Sequence, residues 1–154
     1  MKISEVLLLE FEEEMAGTRR MLERLPEEQF AWKPHDKSPT LGRLANHVSI
    51  IPGLASLIVN RRGAKPQDSA SKAEMLAAFD RNVGACRETL ASLTDEQLTA
   101  DIRVTPELSK PLAAALRKAI LNHLIHHRAQ LGVYLRLLDV PVPGMYGPSA
   151  DEKS

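Results

Sequence analysis

Apolar residues recur at helical spacing in four stretches of the chain. Spacings of three and four residues place such positions on one face of a helix. The first stretch, residues 3–25, carries Leu8, Phe11, Met15, Leu22 and Leu25. The second, residues 38–58, carries Leu41, Leu44, Val48, Ile51, Ala55 and Ile58. The third, residues 71–93, carries Leu76, Phe79, Val83, Cys86, Leu90 and Leu93. The fourth, residues 111–138, carries Leu112, Leu116, Ile120, Leu131, Tyr134 and Leu138.

Local signals place the limits of these helices. Pro26 ends the first helix, and Ser38-Pro39 begins the second as a serine N-cap followed by proline in the first turn. Pro52 lies inside the second helical pattern and predicts a kink there. Ser71 to Glu74 has the form of a capping box at the start of the third helix.

The connecting segments are polar or irregular. Residues 60–68 predict a polar connection, Thr94 to Gln97 a short capped turn, and residues 100–110 an irregular stretch in which 102–104 can be extended. The whole chain, residues 1–154, is predicted to be one all-α domain, a four-helix bundle. Its core spans about residues 3–138, and residues 139–154 form a C-terminal tail.

Composition narrows the class of protein. Twenty basic residues balance twenty acidic ones, so no net field favours nucleic acid or an anionic membrane. No apolar stretch is expected to reach the length of a membrane span, and nothing resembles a signal peptide. The single cysteine, Cys86, excludes an internal disulfide and suits a reducing cytoplasm.

Histidines on the predicted core faces supply the candidate chemistry. His123 and His127 are one turn apart and fall in the middle of the apolar face of the fourth helix, while His126 falls at its edge. Two imidazoles so placed can bind one metal ion, and His47, on the core face of the second helix, is the best third ligand. An ordinary pair of core histidines is the alternative.

Other polar residues have weaker claims. His126 and Glu14, or Glu10, are candidates to form a hydrogen bond that orients a metal-ligating histidine. A solvated position is the commoner explanation for each. Arg128 projects away from the histidine face, and this orientation predicts that it forms an ion pair or a subunit contact. Cys86 lies in an apolar stripe and favours an inert core thiol. The fourth helix lacks the glutamate of a zinc-protease motif, because residue 124 is leucine.

Three separated segments resemble the DinB-like (YfiT-like) superfamily of metal-binding four-helix bundles. They are Trp32–His47, Asn122–Leu131 and the tail from Val140 to Glu152. The resemblance covers nearly the whole chain, with one departure: the superfamily often has glycine where this chain has Ala129. It implies a metal triad of His47, His123 and His127, an unusual bundle connectivity and frequent homodimers.

The resemblance also implies a function. Members of the superfamily include thiol-dependent S-transferases that use low-molecular-weight thiols, and hydrolysis is proposed for others. We therefore expect a metal-dependent enzyme that performs thiol transfer or hydrolysis on an unidentified small molecule. Zinc is the expected ion, with nickel, iron or manganese as alternatives, and a thiol is a candidate cosubstrate. The competing hypothesis is a non-catalytic, metal-stabilised module for stress-response binding or dimerisation.

Overall fold

A computed structural model describes residues 1–60 and 69–152. Its long helices are α1 (Ile3–Glu23), α2 (Leu41–Ile50), α4 (Lys72–Ser92) and α7 (His123–Leu137). The shorter elements are α3 (Leu54–Asn60), α5 (Asp95–Thr99), β1 (Asp101–Thr105), β2 (Leu108–Pro111) and α6 (Leu112–Leu116). The predicted all-α class is confirmed. Most of the predicted polar connection, residues 61–68, lies outside the described residues.

The four long helices pack in a ring around one apolar core. α1 packs against α4 and α7, and α2 packs against the same two helices. Each long helix contributes side chains with almost no exposed surface, including Phe11, Leu44, Phe79 and Leu131. Thr18 is also fully buried in this core, and its hydroxyl donates to the Glu14 carbonyl. This packing brings α2 beside α7, where the candidate ligands lie.

The second helix begins two residues later than predicted. Thr40, not Ser38, is the N-cap, and its hydroxyl accepts from the Arg43 amide at 3.3 Å. The preceding loop supplies carbonyl acceptors for the first turn: Leu41 N–H donates to Trp32 at 2.8 Å and Gly42 N–H to Phe30 at 3.0 Å. Because those acceptors come from the packed loop, the sequence next to the helix does not reveal where it begins.

Proline interrupts the second helical stretch as predicted. Ile51–Gly53 forms a turn of 3-10 helix that separates α2 from α3, with Pro52 at its second position. Proline has no N–H to donate and its ring crowds the preceding turn, so the α-helical hydrogen bonds cannot continue. The interruption comes one turn after His47.

The stretch predicted to be irregular is a β-hairpin. β1 and β2 pair antiparallel, with Ile102 opposite Lys110 and a register shift between Arg103 and Thr105. Thr94 and Gln97 do form the predicted capped turn at the start of α5. The hairpin leads directly into α6, so the fourth predicted helix begins at Leu112.

That fourth helix is not α-helical throughout. Between α6 and α7, Arg117–Asn122 forms a π-helical segment. A π turn is wider than an α turn, so each residue advances by less than the usual 100°. Every residue after the segment therefore faces a different direction from the one that a uniform α-helix predicts, and His123 follows it at once.

One apolar stretch requires a correction to the sequence expectation. By length and composition, Leu41–Asn60 is long and apolar enough to cross a membrane. In the bundle, Leu41, Val48 and Ile51 from this stretch are fully buried in the core. Packing in the core therefore explains why this stretch is so apolar. A cytoplasmic location stays a prediction.

Candidate metal centre

Three histidines meet where α2 packs against α7. His47 comes from α2, whereas His123 and His127 come from consecutive turns of α7. The nitrogen atoms that they offer as ligands all lie within 4.8 Å of one another. Nε2 of His47 is 3.1 Å from Nε2 of His123, and the ring centroids of His47 and His127 are 4.6 Å apart. The predicted trio is therefore brought together in space.

The nitrogen spacing is compatible with a shared ion. Two nitrogens at the usual 2.0–2.1 Å from zinc are separated by about 2.9 Å at a right angle and by about 3.3 Å at a tetrahedral angle. The observed 3.1 Å lies between these values. An N–H···N hydrogen bond between two neutral rings has the same length, and it satisfies those two nitrogens without a metal. The three imidazoles thus form a group that can hold a metal ion.

The histidines lie at the edge of the core, not in its middle. All three are partly exposed, whereas Leu124 and Leu131 on the neighbouring face of α7 are fully buried. The sequence prediction assumed 100° per residue throughout, and the π segment before His123 breaks that assumption. The edge position leaves the cluster reachable from solvent.

Burial and mutual repulsion favour the neutral form of two rings. Burial lowers the pKa of His47, and the nearby His127 and His123 lower it further. Burial also lowers the pKa of His127, against a hydrogen bond to Gln130 that raises it. Neutral imidazole is the form that binds a metal ion, so both residues suit that role near neutral pH.

Gln130 is a functional candidate that sequence reasoning missed. Its Oε1 lies 2.7 Å from Nδ1 of His127. A carbonyl oxygen accepts only, so this Nδ1 carries the proton and Nε2 keeps its lone pair for a ligand. The signal was present in the sequence, because residues three apart face one another on a helix.

The other residues proposed near the metal lie elsewhere or face water. His126 is exposed, and its ring packs 4.9 Å from that of His127. Glu10 pairs with Arg117 at 2.6 Å. Glu14 pairs with Arg128, also at 2.6 Å. Both carboxylates are thus engaged outside the histidine cluster.

Arg128 forms the ion pair that its orientation predicted. It is 3 % exposed and Glu14 is 7 % exposed. Its Nη1 donates to the Glu14 carbonyl at 3.0 Å and to Thr18 at 3.2 Å. The Tyr146 hydroxyl accepts from Nη2 and donates to the Glu14 carboxylate, both at 2.8 Å. This network joins α1, α7 and the tail.

Cys86 has the inert character predicted from its apolar stripe. Its side chain is fully buried. Burial raises the pKa of its thiol to about 12. A thiol with so high a pKa is not a nucleophile near neutral pH.

Comparison with known proteins agrees with this architecture. The sequence profile of the DinB family matches residues 1–154. The chain is 28% identical to Bacillus subtilis YjoA over 127 residues, 77% of this chain and 80% of YjoA. It is 25% identical to YrdA of the same organism over 150 residues, 94% of this chain and 89% of YrdA.

Solved structures give the same result. A DinB-like protein from Bacillus cereus superposes with a TM-score of 0.79 at 28% identity, over 92% of this chain and 97% of that one. The structure of YjoA superposes with a TM-score of 0.68 at 22% identity, over 87% and 94% of the two chains, and it supports the fold alone. From the profile match over its whole length, the chain belongs to the DinB family.

Proposed function

We propose that this protein is a metal-dependent enzyme that transfers a thiol to a small electrophilic molecule. His47, His123 and His127 are the proposed ligands of a divalent ion, with zinc as the expected metal. The observation that carries the proposal is the meeting of three imidazoles, from two helices, at a solvent-reachable edge of the core.

The ligand set suits catalysis rather than structural support. Three neutral imidazoles leave a divalent ion its full charge, and a three-ligand site leaves a coordination position for a substrate. When bound, such an ion supplies a Lewis acid that lowers the pKa of a coordinated water or thiol. Within the protein, Gln130 holds His127 in the tautomer that presents Nε2.

Thiol transfer accounts for the site better than hydrolysis does. Attack by water benefits from a nearby general base, but among the described residues no carboxylate joins the histidine cluster. Glu10 and Glu14 are occupied by Arg117 and Arg128. A thiolate needs no base once it has formed. In the proposed reaction the thiol sulfur forms a bond to carbon, the leaving group departs with the bonding electrons, and the thiol proton goes to solvent.

The first experiment measures the metal. Purified protein should contain about one divalent ion per chain by elemental analysis, and His123→Ala and His127→Ala should each remove it. His126→Ala is the matched control, because it deletes an exposed neighbouring imidazole on the same helix. Metal retained in either ligand variant would refute the ligand assignment.

The second experiment measures the reaction. Metal-loaded protein is mixed with a small thiol and an aryl halide, and formation of the thioether is followed by absorbance. Turnover that requires both the metal and the thiol supports S-transfer. Ester cleavage without thiol favours hydrolysis instead, and a loaded protein inactive in both assays favours the non-catalytic module. The resemblance also implies a homodimer, and light scattering tests this separately.

A further inference from the structure

One row of side chains runs along the contact between α2 and α7. We call it the α2–α7 seam, and it comprises His47, His123, His127, Gln130 and Tyr134, to which Arg43 is added because it lies one helical turn before His47 on α2. The two helices run in opposite directions here. His47 meets His123, whereas Pro39, just before α2, accepts a hydrogen bond from the Tyr134 hydroxyl at 3.2 Å. The seam therefore has the histidine cluster at one end and Tyr134 at the other.

An aromatic contact closes the far end of the seam. The ring of Trp32, from the loop before α2, packs edge-on against Tyr134 with 5.6 Å between centroids. Arg43 lies between Pro39 and His47 in the chain, one helical turn before His47. It therefore stands along the seam between the histidine cluster and the aromatic pair.

Arg43 has no protein partner among the described residues. Its side chain is exposed, and the hydrogen bond that it makes to the Thr40 side chain comes from its backbone N–H, not from its guanidinium. Most other described arginines are engaged: Arg19, Arg87, Arg117, Arg128 and Arg136 each pair with a carboxylate. By helical spacing, this guanidinium supplies a positive charge one turn away from His47 on the same face of α2.

We propose that Arg43 binds a carboxylate group of the thiol that binds at the histidine cluster. This inference rests on the proposed function, because it assumes that the ligand also reaches the metal ion. Guanidinium presents paired N–H donors that match the two oxygens of a carboxylate. The substrate class is thus narrowed from any small thiol to a thiol that carries a carboxylate.

The spacing limits the shape of that molecule. Residues one turn apart on a helix have Cβ atoms about 5–6 Å apart, and a helical side chain leans toward the N-terminus of its helix. The Arg43 guanidinium is therefore displaced from His47 toward the aromatic pair. The carboxylate and the thiol should be separated by several bonds, with the connecting carbon chain lying along the seam toward Trp32 and Tyr134.

The test compares carboxylate thiols with alcohol thiols of the same carbon-chain length. Protein loaded with cobalt(II) is titrated with mercaptopropionate and mercaptopropanol, and with mercaptohexanoate and mercaptohexanol. The thiolate-to-cobalt charge-transfer band gives each dissociation constant without any turnover. The same titrations are run on Arg43→Gln, Arg43→Lys and Arg81→Gln. Arg81 is a matched control, since it is an exposed arginine on α4.

We expect the protein to bind at least one carboxylate thiol about fivefold to tenfold more tightly than its alcohol at low ionic strength. Arg43→Gln should reduce that ratio to near one without changing the affinity for the alcohols. Arg43→Lys should keep part of the preference, because lysine retains the charge but not the paired donors. Arg81→Gln should leave the ratio unchanged.

Two other outcomes overturn the proposal in distinguishable ways. If thiols produce the charge-transfer band and Arg43→Gln keeps the full preference, the role of Arg43 is refuted while thiol binding at the metal stands. If no thiol produces the band on a cobalt-loaded site, thiol transfer itself is refuted, and the inference about Arg43 falls with it.

Discussion

Replacing Arg128 with methionine should be among the most destabilising changes available in this chain. The side chains of Arg128 and Glu14 are 4 % and 8 % exposed, and the nearest atoms of the two charged groups are 2.6 Å apart. Methionine fills similar volume but leaves the Glu14 charge buried without its cation. Breaking a buried ion pair by removing one partner costs about 3–5 kcal/mol. For a domain of this size that corresponds to a fall in melting temperature of about 6–20 °C.

Comparison with an exposed ion pair separates the effect of burial on stability from the effect of charge alone. Arg136 pairs with Asp151 at the same 2.6 Å, but the Arg136 side chain is 51% exposed. Arg136→Met should therefore change the free energy of unfolding far less than Arg128→Met does, because solvent screens the exposed pair. Tyr146→Phe removes one donor to Glu14 and one acceptor from Arg128, and should cost about 1–2 kcal/mol.

Urea unfolding, followed by circular dichroism, measures all three variants. The measurements are made with excess chelator, so that metal binding does not add to the free energy of unfolding. The double variant Glu14→Gln with Arg128→Met should be less destabilised than the two single changes added together, because both delete the same interaction. Equal, small losses for Arg128→Met and Arg136→Met would refute the reasoning.

Two further predictions concern the histidine cluster. Burial holds the pKa of His47 and His127 below the ordinary 6.5, so the unfolded chain takes up protons below that pH before the folded protein does. Metal-free protein should lose stability as the pH falls from about 6.5, and replacing both histidines with glutamine should weaken that dependence; a slope unchanged by the double replacement would contradict this. Gln130→Leu removes the acceptor for His127 Nδ1 and should lower metal affinity about tenfold in competition with a chromophoric chelator. Gln130→Glu, which keeps an acceptor, should not; equal affinity in the leucine variant and the parent would exclude a role for Gln130.

Local chemistry made much of the helical framework predictable. The limits of α1 and α5, and the interruption at Pro52, follow from residues within a few positions of each feature. Ser71 caps α4 as predicted, with its hydroxyl accepting from Glu74 N–H, although the Glu74 carboxylate reaches Ala70 instead of completing the box. Such features can be predicted from the sequence because caps and prolines act over one helical turn.

The sequence by itself also determined that His123 and His127 can share a ligand, since their spacing fixes them on one face of any helix. Only the tertiary structure decided the rest of the site. His47 is 76 residues from His123, so their contact depends on how α2 packs against α7. The π segment turned both α7 histidines from the centre of the core to its edge. The ion pair between Glu14 and Arg128 likewise depends on the packing of α1 against α7. Periodicity describes one helix at a time, whereas a binding site forms where separate helices meet.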